Sequence, residues 1–319
     1  MKDMLKLAVI TPEKPCPGMN AFMLSLAGND DIELWGILDG WLGFGSGRFS
    51  KFSKTISKKP SHCGGSFLGS GALPGSLKDT LLLGVEHLKD FNGLIILGQE
   101  TSLRAAQLLN AMAMRVLMIP TVGSLLKWYV LGTDSVLSAL CRFLISCGRI
   151  AELQEALVVM YLSGECEKTL LARAALATGV DLVVLQSPSH FENETNETTE
   201  LHRRDSSEIV AVIKSSAYSR ISKEEMFDVI TKGSQQKVVK TNGIEMCFHA
   251  RTSRFDIRFA KTLVEGVIRL LKESGWGSVV LSNKKVLSIE SILLSEEFDC
   301  EAGFCPALLS RLSGGKFLE

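Results

Sequence analysis

The chain has 319 residues, 46% hydrophobic and 22% charged, the proportions of an ordinary globular protein long enough for about two domains and a sizeable core. Lys plus Arg number 35 and Asp plus Glu 35, so the formal net charge is zero; this argues against a strongly basic nucleic-acid binder and against an acidic disordered chain. No uncharged apolar run approaches the ~20 residues of a membrane helix: the best, Val116 to Leu126, is short and carries Pro120.

Along the chain, strands alternate with helices. Leu5 to Thr11 is a short apolar run closed by Pro12, which reads as a buried strand rather than a signal peptide. Ile32 to Leu38 is a second strand, closed by Asp39-Gly40. Leu77 to Lys89 has apolar residues at helical spacing, Gly93 to Leu97 is a strand, and Ser102 to Met112 is a helix behind it. Arg115 to Ile119 is a strand stopped by Pro120, and Thr133 to Arg149 is a helix with Val136, Leu140, Leu144 and their neighbours on one face. Strand Ala156 to Leu162, helix Glu167 to Thr178 with Gly179 as its stop, and strand Val180 to Leu185 follow. Pro188 to Ser207 is polar and reads as a long loop, and its sequons at Asn193 and Asn196 matter only in a secreted chain. Ile209 to Ile213 is a strand, Ser222 to Thr231 a helix opened by a capping box, and Gly243 to Phe248 a strand. Ser253 to Lys272 is a long amphipathic helix, and Ser278 to Leu281 a strand. The repeated β-α-β order predicts an α/β fold of two doubly wound, mainly parallel sheets, whose ligands bind at loops after the carboxyl ends of strands.

None of the eight cysteines (Cys16, Cys63, Cys141, Cys147, Cys166, Cys247, Cys300 and Cys305) forms a CxxC pair, and their spacing fits neither a zinc site nor a disulfide scaffold. They read as reduced, small buried hydrophobes, which points to the cytoplasm.

Four loops carry the chemistry. Thr11 to Asn20 reads Thr-Pro-Glu-Lys-Pro-Cys-Pro-Gly-Met-Asn, Leu38 to Gly43 Leu-Asp-Gly-Trp-Leu-Gly, Gly64 to Ser70 Gly-Gly-Ser-Phe-Leu-Gly-Ser, and Gly98 to Ser102 Gly-Gln-Glu-Thr-Ser. In this order and spacing they resemble the ATP-dependent 6-phosphofructokinase family, with its T-S-G-G-D-x-P-G-M-N, D-G-Y-x-G, G-G-T-x-L-G-S and G-G-D-G-S, over essentially the whole chain. The resemblance implies a bacterial-type subunit with a larger nucleotide-type domain, 1–135 plus 251–300, and a smaller sugar-phosphate-type domain, 136–250 plus 301–319. The family reaction is phosphoryl transfer from ATP, with Mg²⁺, to fructose 6-phosphate.

The same resemblance marks what is missing. The family's glycines let backbone amides approach the phosphates of ATP. Here Pro12, Glu13, Lys14 and Pro15 stand there: two prolines remove donors, and Glu13 adds a charge that costs roughly 3 kcal/mol at ~5 Å from another at an effective dielectric of 20. Lys14 offsets part of that. What remains of the nucleotide site by resemblance is Thr11, Lys14, Gly98, Thr101 and Ser102. The family's magnesium aspartate is matched by Glu100, one methylene longer, between Gln99 and Thr101 in place of glycines, and Mg²⁺ tolerates little displacement of its ligands. After Pro120 the family's T-I-D-N-D is replaced by Val122-Gly-Ser-Leu-Leu126. Ser124 falls where the base should be and Leu126 at the second aspartate, so no catalytic residue is intact. Losing a positioned base alone costs about 10²–10⁴ in rate.

Other matched positions agree. Ala72, Ser163-Gly164 and Lys214 replace an arginine, an arginine and a sugar-binding glutamate, and Leu24 and Gly28 replace effector-binding arginines. His249 and Arg251 are retained and are the candidates for gripping a sugar phosphate. Donors, arginines and base have gone while the scaffold residues Asp39-Gly40, Gly64-Gly65, Gly69-Ser70 and Pro17 to Asn20 stay. The reading is a catalytically inactive subunit, with neither ATP nor Mg²⁺ assured as cofactor. It would play a structural or regulatory part in a homo- or hetero-oligomer with an active phosphofructokinase subunit, away from nucleic acid and membrane. A working kinase with a rewired site, using Glu100 and Lys14, and a non-catalytic sugar-phosphate or nucleotide sensor are the alternatives.

Overall fold

A computed structural model describes residues 4–52, 60–71, 73, 75–123, 129–163, 168–179, 182–184, 209–215, 237–241, 244–281, 285–290 and 316–318. The chain divides into two units, Met1–Val136 with Phe248–Phe298 and Leu137–Cys247 with Asp299–Glu319.

Unit 1 is built on a seven-stranded sheet. Four parallel strands form its centre: β1 (Leu5–Ile10), β2 (Ile32–Ile37), β4 (Gly93–Gly98) and β5 (Val116–Pro120). β10 (Ser278–Val280) adds in parallel beside β5, while the short β3 (Phe49–Lys51) and β11 (Val286–Ser288) close the two edges antiparallel. The order is β11-β10-β5-β4-β1-β2-β3. β4 and β5 are buried along their whole lengths, as strands covered on both faces must be, and this is why they read as continuous apolar runs.

From β1 the chain winds outward through β2 to β3. It then returns to β4 and winds the other way through β5 to β10. The reversal falls between β1 and β4, where an open α/β sheet leaves a crevice at its carboxyl edge.

One face of the sheet packs Ala8, Ile10, Ile37, Leu94, Ile96 and Met118 under α2 (Gly40–Gly45), α3 (Leu77–Glu86) and α4 (Glu100–Ala111), with Trp41, Phe44, Leu81, Leu103 and Leu109 filling the layer. The pleat sends Leu7, Val9, Ile95 and Leu97, equally buried, to the other face. On that side α1 (Met19–Ala27) packs against α8 (Arg254–Glu273). Ser253 caps α8, its hydroxyl accepting from Asp256 N–H at 3.1 Å, and Ser76 caps α3 in the same way.

Unit 2 holds a five-stranded parallel sheet, in the order β12-β7-β8-β6-β9. Its strands are β6 (Ala156–Ser163), β7 (Leu182–Val184), β8 (Ile209–Ser215), β9 (Lys237–Thr241) and β12 (Lys316–Leu318). α6 (Lys168–Thr178) stops at Gly179, whose N–H reaches Ala175 O at 2.9 Å in a left-handed conformation. The boundary with unit 1 runs inside α5 (Thr133–Gln154) and just after Cys247, against the expected 135/136 and 250/251.

Several elements differ from expectation. In place of the strand expected over 243–248, Ile244–Phe248 is a helical turn, α7, with Cys247 and Phe248 buried and Met246 exposed, and an apolar run this short does not distinguish strand from helix. The neighbouring strand is β9, an edge strand whose Lys-Val-Val-Lys pattern is too polar to signal itself. α2 also went unexpected, because three of its six residues are glycine. β3, β11 and β12, three residues each, gave no periodicity to read. The loop expected over 188–207, with its sequons, and the helix expected over 222–231 lie outside the described residues. Cys16, Cys63, Cys141, Cys147 and Cys247 are free. Burial pushes the thiols of Cys16 and Cys247 up, the latter to about 11, which keeps them protonated packing groups.

Candidate functional site

The crevice between β1 and β4 is where the strand-end loops meet. β1 runs into Thr11, fully buried, whose hydroxyl donates to Gly69 O at 2.9 Å and shares a hydrogen bond with Ser66 Oγ at 2.7 Å. Two residues on, Glu13 turns back toward the start of α4. Its Oε1 accepts from Ser102 N–H at 2.8 Å, and its Oε2 accepts from Ser102 Oγ–H at 2.6 Å and from Gln99 N–H. These are the otherwise unpaired donors of a helix N-terminus, at the positive end of its dipole. Ser102 is fully buried. At Gly98 even a methyl group would sit 2.6 Å from Ser102 Cβ and 2.5 Å from Glu13 Oε2, so only glycine lets β4 end against this carboxylate.

Gln99, itself buried, extends the chain of contacts to the next strand: its Nε2–H donates to Val122 O at 2.8 Å, in the turn after β5. Loops following three adjacent strands, β1, β4 and β5, are thus tied by Glu13 and Gln99.

The other expected residues lie around this point. Glu100 is half-buried in the first turn of α4, and its Oε1 accepts from Arg104 Nη2 at 3.0 Å one turn along the same helix. Thr101 is exposed on that turn, and Lys14 is half-buried beside Glu13 in the loop after β1. Ser124 and Leu126 lie outside the described residues, as do Ala72, Gly164 and Cys166.

One functional group had gone unnoticed. Asp256, in the first turn of α8, is fully buried beneath the segment that returns from the β5 loop. Its Oδ1 accepts from Gly132 N–H at 3.2 Å, and its Oδ2 accepts from Ser135 N–H at 2.8 Å and from Ser135 Oγ–H. Ser135 Oγ in turn accepts from Ser253 N–H at 2.9 Å. Burial raises the Asp256 carboxyl above the usual carboxylate range, more than the bonds from Ser135 and Gly132 lower it, and the charge of Asp134 adds to the rise. A carboxylate is therefore folded in behind this loop, but both oxygens are engaged by the backbone it holds and no surface is open to a ligand hydroxyl. The Ser253-x-x-Asp256 capping pattern was the signal that could have found it.

The glycine loop over 62–71 is held from below. Asn20, buried, donates through Nδ2 to Cys63 O and Gly64 O at 3.1 and 3.3 Å, and its Oδ1 accepts from Phe67 N–H at 2.7 Å. Thr252 N–H donates to His62 O at 2.9 Å, and Thr252 Oγ1 accepts from Gly18 N–H at 3.1 Å. The segment carrying His249 and Arg251 therefore runs against this loop, so closely that a methyl group on Gly64 would overlap the carbonyls of Ala250 and His249. His249 and Arg251 are both exposed and belong, with the crevice, to unit 1.

A doubly wound unit with its contacts gathered at the strand reversal, and a second unit with its own parallel sheet, define a two-unit α/β protein of the kind that receives ligands at strand ends. A sequence model of the phosphofructokinase family matches residues 6–259, and the chain belongs to that family. Among curated relatives, it is 26% identical to the ATP-dependent 6-phosphofructokinase of Buchnera aphidicola over 59% of this chain and 62% of that protein, and 32% identical to that of Photobacterium profundum over 36% and 38%. The matched stretch thus spans less than two thirds of either relative. Among solved structures, phosphofructokinase from Saccharomyces cerevisiae superposes with TM-score 0.72 at 17% identity, covering 90% of this chain and 44% of that one. Pyrophosphate-dependent phosphofructokinase from Nitrosospira multiformis does so with 0.70 at 12%, covering 99% and 92%. These two likenesses establish the shared fold.

Proposed function

We propose that this chain is a catalytically degenerate phosphofructokinase-family subunit, with a structural or regulatory role in a cytoplasmic oligomer that includes an active phosphofructokinase chain. The observation that carries the reading is the Glu13 carboxylate, which takes three hydrogen bonds from the start of α4 in the crevice between β1 and β4.

The residues present do not fit a magnesium–nucleotide complex as the resemblance would require it. Phosphoryl transfer depends on positioned donors and cations around the transferring group. Here the amides and hydroxyl at α4 are engaged by an acid of the same chain, and Pro12 and Pro15 lack amide hydrogens. Glu100 is paired with Arg104, and the buried Asp256 is committed to backbone. On this reading unit 1 is the nucleotide-type domain and unit 2 the sugar-phosphate-type domain. Among the described residues no helix is long and apolar enough to cross a membrane.

One observation favours a second reading, a sensor that binds without turnover: His249 and Arg251 are exposed beside the glycine loop, where a sugar phosphate could reach both.

A coupled assay with ATP, Mg²⁺ and fructose 6-phosphate tests the first reading. The expected result is no turnover by the purified chain, together with co-isolation of a second phosphofructokinase chain from the native source. Turnover at ordinary kinase rates that Glu100→Ala abolishes would refute it. A saturable thermal shift with fructose 6-phosphate, lost in Arg251→Ala, would select the sensor.

A further inference from the structure

The same crevice carries a more specific conclusion, which rests on reading it as disabled and concerns how it is disabled. We infer that Glu13 is an autoinhibitory plug: its carboxylate occupies an intact anion seat, and removing that side chain restores binding of a phosphate or diphosphate group there.

Three observations support this. First, the seat already holds an anion, the chain's own carboxylate, through Gln99 N–H, Ser102 N–H and Ser102 Oγ–H. Backbone amides at a helix N-terminus together with a hydroxyl form a donor set suited to a phosphate oxygen as well as to a carboxylate. Second, the two amides are positioned by contacts other than Glu13. α4 is anchored by buried Leu103, Ala105, Ala106 and Leu109, and Gln99 is fixed separately through its side chain to Val122 O. These amides therefore stay in place when the acid is taken away, with the Ser102 hydroxyl on the same buried turn. Third, the plug is delivered by a stiffened loop. Pro12 and Pro15 bracket Glu13, and Pro12 is buried with its backbone so close to Gly40 that a methyl group there would lie 2.8 Å from Pro12 O. A carboxylate tethered this way competes as an intramolecular ligand, at an effective concentration that a free anion at ordinary levels does not match.

The location adds to the argument. Glu13 follows β1, and Gln99 and Ser102 follow β4, so the plug spans the strand reversal, the place where open α/β sheets receive ligands. Residues 86 and 89 positions apart are brought together to fill it.

The test is calorimetric titration of inorganic pyrophosphate, and separately of inorganic phosphate, into the full-length wild type, Glu13→Ala, and Glu13→Ala combined with Ser102→Ala. Far-ultraviolet circular dichroism of each variant confirms folding. The expected result is at least about tenfold tighter binding of one of these anions by Glu13→Ala than by wild type, largely reversed in the double variant. Binding by folded Glu13→Ala no tighter than wild type would overturn the plug. So would tighter binding that the Ser102 change leaves untouched, since the anion would then sit elsewhere. If Glu13→Ala does not fold, Glu13→Gln keeps the length and removes the charge, and the same two outcomes decide. The two conclusions fail separately: a wild type that turns over while Glu13→Ala gains affinity refutes the degenerate reading and keeps the plug, whereas an inert wild type with no gain refutes the plug alone.

Discussion

Two regions at the carboxyl edge of one sheet have been treated differently. The glycine loop over 62–71 is held by Thr11, Asn20 and Thr252, small polar side chains that bond its backbone and leave its shape to glycines. A few residues away, the crevice between β1 and β4 is filled by an acid. The contacts of the first region maintain a conformation and are indifferent to any ligand. The contacts of the second consume the donors that a phosphorylated ligand would need. A fold can thus keep its scaffold at full strength while its receptive end is closed from within, because the two rest on different hydrogen bonds.

The comparison is broken most severely from the scaffold side. Asp256→Ala leaves the Gly132 and Ser135 donors buried without an acceptor and lowers stability by about 3–4 kcal/mol in urea unfolding. The pH dependence of that contribution has a definite sign. With its carboxyl raised by burial, Asp256 holds a proton more tightly when folded than when unfolded. Its stabilisation is therefore fullest below the ordinary aspartate value of about 3.9 and declines as pH rises from there through the folded value. Asp256→Asn removes that decline, seen as a flatter stability profile just above the ordinary carboxylate range.

Asn20→Ala is next. It strips one acceptor and two donations from the glycine loop and costs about 2 kcal/mol, read as a lower urea midpoint with an unchanged slope. Glu13→Ala sharpens the contrast: it costs only about 1 kcal/mol, the value of a lost helix cap, and added pyrophosphate recovers part of the lost melting temperature in the variant but not in wild type. Arg104→Ala is the smallest, about 0.5 kcal/mol or less, because its pair with Glu100 is a half-exposed contact one turn apart.

Much of the fold was legible because burial on both faces writes itself as unbroken apolar runs. β1, β4 and β5 were read from Leu5 to Thr11, Gly93 to Leu97 and Arg115 to Ile119 for this reason. α8 declared itself by its amphipathic stripe. What escaped has physical causes too. α2 hides buried Trp41 and Phe44 among glycines that argue against helix, and β9 is an edge strand with a lysine at every third position. At the site, Glu13 was legible as a charge unwelcome to a polyanion. That it turns inward and satisfies α4 was not, since its partners lie far along the chain and no local pattern links them. Asp256 shows the reverse: the capping pattern was in plain view, yet its burial depends on Gly132 and Ser135 arriving from another loop.

The most direct test of the closed crevice is to follow the backbone amide resonances of Gln99 and Ser102 in the wild-type chain while pyrophosphate is added. With Glu13 seated as described, both amides stay where they are across the titration. A saturable displacement of both, at concentrations that leave the rest of the spectrum unmoved, would show that the crevice admits a phosphate after all and would contradict the account.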